Sequence, residues 1–173
     1  MKVQLNAGKL NVAFEGETVR ELWKQIAIFQ EVFGETTCGK CGSENLRFVE
    51  TDLTNDEGWQ EAMTDCKYVL HVASPFIIAN PDDENEIISP AVDGTLRVLS
   101  AAKRTGIERT VVTSSLVAII AGKPSGHYGA DSWSDPEAEI GTYAKSKVLA
   151  EKAAWRFAEE NDLDLVVINP GGV

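Results

Sequence analysis

Cysteine is scarce, with three in 173 residues, at Cys38, Cys41 and Cys66. An odd number argues against a disulfide framework and fits a reducing compartment, so a cytoplasmic protein is expected. Histidine is scarcer, with two, His71 and His127, and neither has ligand-like spacing. Long apolar runs are missing, so nothing in the sequence reads as a membrane span. The opening Met1-Lys2-Val3-Gln4-Leu5-Asn6 leads into no apolar core, which argues against a signal peptide. No internal repeat or low-complexity tract is present. Positive charge is also in short supply: 16 Lys and Arg against 27 Asp and Glu give a net charge of -11. Such an acidic chain disfavours nonspecific nucleic-acid binding. What remains is an ordinary globular composition, 43% hydrophobic and 25% charged, enough for a domain with a sizeable core.

The charge is unevenly placed. Residues 1–48 hold six basic and six acidic residues, so residues 49–173 carry the whole net charge. The step hints at two segments of different character. In the first, Lys2–Leu5 and Leu10–Phe14 are strand-like, and Asn6-Ala7-Gly8-Lys9 between them reads as a hairpin turn. Gly16-Glu17-Thr18 starts a helix in which Val19, Leu22, Trp23, Ile26, Phe29 and Phe33 recur at three and four. That stripe reads as core or a protein contact. Cys38-Gly39-Lys40-Cys41-Gly42 follows, a turn that can aim two thiolates at one metal. A structural zinc site takes four ligands, and a second Cys-x-x-Cys is absent. Cys38 and Cys41 are therefore half of a possible zinc knuckle; free thiols in a turn and a redox pair are the other readings.

From Leu46 the rhythm changes. Leu46–Glu50 reads as a short strand and Glu57–Met63 as a short helix capped by Asn55 or Asp56. Tyr68–Ala73 is a nearly continuous apolar strand of the kind buried on both faces of a parallel sheet. Asp83–Arg104 is helical with an interruption at Pro90, Thr110–Thr113 is another buried strand, and Gly122–Pro136 is a loop. A helix over Gly141–Glu160 and a strand over Leu163–Asn169 follow. The alternation predicts a doubly wound α/β sheet.

The helix over Gly141–Glu160 carries Tyr143-Ala144-Lys145-Ser146-Lys147. A tyrosine and a lysine four apart share one face of a helix. A phenol, with a reference pKa of about 10, beside an ammonium is a candidate proton donor, because the cation favours the phenolate. Upstream, Thr113-Ser114-Ser115 ends a strand, where a hydroxyl can hold a carbonyl oxygen. Tyr-x-x-x-Lys by itself also describes a surface tyrosine beside a solvated lysine.

Two resemblances add to this reading. Phe29–Glu35 together with Cys38–Phe48 resembles the start of small phage-encoded zinc-ribbon proteins, which close the ribbon with a second cysteine pair that this chain lacks. Residues 44–173 resemble the extended short-chain dehydrogenase/reductase family, within the NAD-dependent epimerase/dehydratase group and nearest its dihydroflavonol-reductase-like branch. The residues that carry this are Leu46–Leu53, Tyr68–Phe76, Gly94–Leu99, Val111–Ser115, Tyr143–Lys147 and Val167–Val173, six pieces in one order. The resemblance implies a carbonyl reductase using NAD or NADP on a small-molecule ketone or aldehyde. It implies Tyr143 as proton donor, Lys147 as the cation that also holds the nicotinamide ribose, and Ser115, in preference to Ser114, as the hydroxyl on the carbonyl. It places Asp52 and Leu53 at the adenine, Ala73 and Ser74 along the phosphate and ribose path, and Pro170 and Val173 at the nicotinamide amide, with Thr113 and Tyr143 also among the cofactor-binding residues. The bland readings are a turn cap for Asp52, packing for Ala73 and Val173, and a core histidine for His71.

The sequence also departs from that family. The Gly-x-x-Gly-x-x-Gly turn that cradles the pyrophosphate is absent, and segment 1–43 stands in its place. The sequence stops at Val173, before the point where the resemblance would lead one to expect a substrate lobe. The expected organisation is thus a hairpin, helix and Cys-x-x-Cys segment over 1–45, followed by a partial Rossmann-like domain over 46–173. The expected function is a reductase impaired by the missing turn. The alternative is a chimeric fusion or interaction module without catalytic activity.

Overall fold

The computed structural model describes residues 2–7, 10–15, 17–33, 49–76 and 81–171. The chain divides into two compact units, Met1–Phe48 and Val49–Val173. In the first, strands β1 (Lys2–Ala7) and β2 (Leu10–Glu15) pair antiparallel from Lys2↔Glu15 to Ala7↔Leu10, the expected hairpin. Helix α1 (Val19–Phe33) opens on a reciprocal cap. The Glu21 N–H donates to Thr18 Oγ1 at 3.2 Å, and the Thr18 and Glu17 N–H groups donate to Glu21 Oε2 at 3.3 and 3.1 Å. Phe14, Leu22 and Ile26 form a small core with Phe29, whose ring meets Phe14 edge-on at 5.4 Å. Trp23 of the same stripe stays 65% exposed, so the predicted apolar face is wider than the surface that covers it.

The second unit is built on a parallel sheet of strands β3 (Tyr68–His71), β4 (Arg109–Thr113) and β5 (Leu165–Ile168), in that order. The predicted strand over Leu46–Glu50 is not found where it can be seen: Val49 and Glu50 lie outside any strand, and 46–48 fall outside the described residues. Helix α2 (Trp59–Met63) precedes β3, and α3 (Asn85–Thr105) crosses from β3 to β4. A short helix α4 (Val117–Ile120), absent from the sequence reading, follows β4, and α5 (Thr142–Asn161) crosses to β5. Successive strands laid side by side with crossovers of one hand put both long helices on one face.

Register explains the core. Val69, Thr110 and Leu165 align as one row and His71, Val112 and Val167 as the next. Together with Leu99, Ala154 and Ala158 these rows bury the helix-covered face. The other face carries Leu70, Val166 and Ile168, which are 74, 38 and 51% exposed. The expectation that these apolar strands are buried on both faces therefore holds on one face only. Period-two alternation cannot reveal this when both faces are apolar.

Pro90 does not interrupt α3. It removes one backbone donor. Ile87 and Ala91, on either side of it, are 0 and 2% exposed and anchor the helix across the gap. Glycine is required further along at Gly94, where an added Cβ would meet Leu53 Cδ2 at 2.8 Å. The helix ends on Gly106 at φ 73°, with Ile107 N–H reaching back to Ala102 O at 3.0 Å.

Candidate active site

The C-terminal ends of the three parallel strands lead into 72–76, 114–116 and 169–171. This edge of an open α/β sheet is where ligands bind, because the helices that follow each strand present their N-termini there. Ala73 is exposed and Ser74 half-buried after β3; Thr113 closes β4 half-buried; Pro170 is exposed after β5.

Helix α5 supplies the side chains that meet this edge. Tyr143, Lys147 and Glu151 stand at a stride of four, one stripe over two turns. The Tyr143 ring meets the Phe76 ring edge-on at 5.4 Å. Lys147 Nζ lies over the Tyr143 ring, 5.5 Å from its centroid, close enough for the ring face to attract the cation. Lys147 is 7% exposed, and burial pushes its pKa below the ordinary lysine value. Lys145, in the same pentapeptide, serves elsewhere: its Nζ is 2.8 Å from Glu84 Oε2.

His71 is buried behind this group. Burial first, and the nearby Lys147 charge second, lower its pKa to about 4. Its Nε2 is 3.4 Å from Thr95 Oγ1, and Thr95 gives its hydroxyl proton to Ala91 O at 2.7 Å. With that proton committed, His71 is the donor in the longer contact. It behaves as a satisfied core histidine.

The two serines separate by what binds them. Ser114, 9% exposed, donates its hydroxyl to Glu151 Oε2. Ser115 is half-buried, and its Oγ accepts a long bond of 3.4 Å from the Val117 N–H. No described bond uses the Ser115 hydroxyl proton, which leaves it for a ligand. Asn169 Nδ2 donates to Ser115 O at 3.1 Å and to Glu151 Oε2 at 2.7 Å.

The sequence-predicted residues divide accordingly. Tyr143 and Lys147 come together, and Ser115, Ala73, Ser74, Thr113 and Pro170 lie along the same strand ends. Asp52 and Leu53 sit in the segment before α2. Asp52 Oδ1 accepts from the Thr54 N–H and hydroxyl, both at 2.7 Å, and these bonds lower its pKa. Leu53 is half-buried against Gly94, and its carbonyl accepts from Arg97 Nη1 at 2.7 Å. Val173, Cys38 and Cys41 lie outside the described residues. Among the described residues no three His, Cys, Asp or Glu side chains gather as a metal site, and Cys66 is exposed. Sequence reasoning missed Phe76, Glu151 and Asn169. The stride from Tyr143 through Lys147 already pointed to Glu151, but nothing local linked it to a serine 37 positions away.

Comparison with known proteins follows the same line. The NAD dependent epimerase/dehydratase family matches residues 16–173. Anthocyanidin reductase ((2S)-flavan-3-ol-forming) of Vitis vinifera is 38% identical over 136 residues, covering 73% of this chain and 40% of that protein. Dihydroflavonol 4-reductase of Hordeum vulgare is 39% identical over 135 residues, covering 73% and 38%. Among solved structures, yeast methylglyoxal/isovaleraldehyde reductase Gre2 complexed with NADPH superimposes with a TM-score of 0.64 at 30% identity, over 86% of this chain and 48% of that one. The chain spans about two fifths of the length of the curated relatives it matches.

Proposed function

Because the chain belongs to the NAD-dependent epimerase/dehydratase family, we propose that its second unit carries the proton-donating centre of a reductase acting on a small-molecule ketone or aldehyde, with NAD or NADP as cofactor. The observation that carries this is Lys147 Nζ over the Tyr143 ring at the C-terminal edge of the sheet. Tyr143 gives its hydroxyl proton to the carbonyl oxygen. Lys147 stabilises the phenolate left behind, because its charge is desolvated and acts at short range. Ser115 donates its unused hydroxyl proton to the same oxygen and orients the carbonyl. His71 is neutral at pH 7 and adds no second positive charge beside Lys147.

The residues at the strand ends suit the nicotinamide end of the cofactor. Phe76 is 71% exposed while its ring stays against Tyr143, which leaves an apolar surface open beside the proton donor. Lys147 would hold the ribose, Ala73, Ser74 and Thr113 the path toward the phosphates, Pro170 and Val173 the amide, and Asp52 and Leu53 the adenine. A reduced nicotinamide held by these residues would supply the hydride for the carbonyl carbon. A carbonyl substrate is also what the name of the methylglyoxal/isovaleraldehyde reductase describes.

The test is Tyr143→Phe, assayed for NADPH- and NADH-dependent carbonyl reduction. Loss of the proton donor should lower the rate by about 100- to 10,000-fold with the fold intact. A variant as active as the parent would remove Tyr143 from the mechanism.

A further inference from the structure

We propose that Glu151 is a positioning residue that sets where Ser115 stands relative to Tyr143; this rests on the catalytic reading of those two residues. Glu151 is 6% exposed and sits four residues beyond Lys147 on the stripe that carries Tyr143. One of its oxygens, Oε2, accepts from two directions: from the Ser114 hydroxyl at the end of β4, and from Asn169 Nδ2 at the end of β5. The same Asn169 nitrogen donates to the Ser115 carbonyl. An amide nitrogen has two hydrogens, and both are accounted for.

The backbone on either side of Ser115 is bound as well. Ser114 N–H donates to Ile168 O at 2.8 Å and Leu116 N–H to Pro170 O at 2.9 Å. Ser115 is therefore held by its neighbours and by its own carbonyl, while its hydroxyl proton stays available. Glu151 is the single side chain in this set that belongs to α5. It joins the strand ends to the helix that bears the proton donor. A buried carboxylate accepting two hydrogen bonds fixes geometry more tightly than neutral partners do, because charge-assisted bonds are shorter and stronger. Without it, the buried Ser114 hydroxyl and one hydrogen of the half-buried Asn169 amide lose their acceptor, and the β4 end is free to shift against α5. Nothing in the reaction requires Glu151 to touch substrate.

The experiment compares Glu151→Met, which keeps the length and removes the acceptor, with Glu151→Gln, which keeps one acceptor oxygen. Steady-state carbonyl reduction with NADPH and amide hydrogen exchange are measured on the full chain. We expect Glu151→Met to lower kcat by about 10- to 100-fold while KM changes by less than about threefold, as for a displaced catalytic group. Glu151→Gln should recover most of that loss. Exchange at the Ser114 and Leu116 amides should quicken in Glu151→Met and stay slow in Glu151→Gln. A Glu151→Met variant with a lower melting temperature but the parent's kcat overturns the proposal, since it makes Glu151 a stability residue alone. If the parent chain reduces no carbonyl, the reductase reading has failed, and exchange then decides the brace by itself. Unchanged protection at those amides in Glu151→Met overturns it.

Discussion

Acidification to pH 5 should weaken the second unit through His71. The side chain is 6% exposed, and its pKa is lowered from 6.5 to about 4 by burial and then by Lys147. As pH falls, the unfolded chain takes up this proton near 6.5, whereas the folded chain resists until near 4. The stability contributed by neutral His71 is therefore complete above 6.5 and is lost progressively down to 4. Below 4 both states are protonated and the loss stops growing. At 1.36 kcal/mol per pH unit, the loss is about 2 kcal/mol at pH 5 and about 3 kcal/mol at pH 4. Carboxylates also titrate as pH falls, so the contribution is isolated by difference against His71→Gln. Urea unfolding at pH 7 and pH 5, followed by tryptophan fluorescence in a Trp23→Phe background, reads the second unit, because the remaining tryptophans are Trp59, Trp133 and Trp155. The parent should lose about 2 kcal/mol more than His71→Gln between the two pH values. Proton NMR gives an independent check, since the chain has two histidines and His127→Gln assigns the pair. Equal losses in parent and variant, or a His71 resonance titrating at or above 6.5, would refute the burial argument.

Other outcomes follow from single contacts. Gly94→Ala should destabilise the second unit by about 1–3 kcal/mol despite alanine's better helix propensity, because its Cβ meets Leu53 at 2.8 Å and Arg97 pins the Leu53 carbonyl. A stabilised variant in urea unfolding would mean that the Leu53 segment moves freely. Thr110 Oγ1 is buried with no hydrogen-bond partner among the described residues, so Thr110→Val should raise stability by about 1 kcal/mol. A lower melting temperature would show that the hydroxyl has a partner after all. The Tyr143→Phe and Glu151→Met comparisons described above test the chemistry and the brace behind it, read by turnover and by amide exchange.

Much of this molecule was legible residue by residue. The hairpin, the amphipathic pattern of α1, the strands at Tyr68 and Thr110 and the helix that bears Tyr143 all follow from periods of two and 3.6, which are local properties of the chain. So does the pairing of Tyr143 with Lys147, since four residues along a helix is one turn. The boundary of the sheet was not legible in this way. An apolar strand looks the same whether one face or two are covered, so the open face at Leu70, Val166 and Ile168 appears only once the helices are in place. Pro90 shows the same limit: its missing donor is local, but the burial of Ile87 and Ala91 that carries the helix past it is not. At the site, local pattern named Ser114 and Ser115 together, and the preference for Ser115 came from the family resemblance alone. Tertiary structure separates them, because Glu151 arrives from a distant part of the chain and takes the Ser114 hydroxyl, while Asn169 binds Ser115 only through its carbonyl and leaves the Ser115 hydroxyl its proton. Local spacing set which groups this chain can present; the packing of α5 against the strand ends decided which of them are free to act.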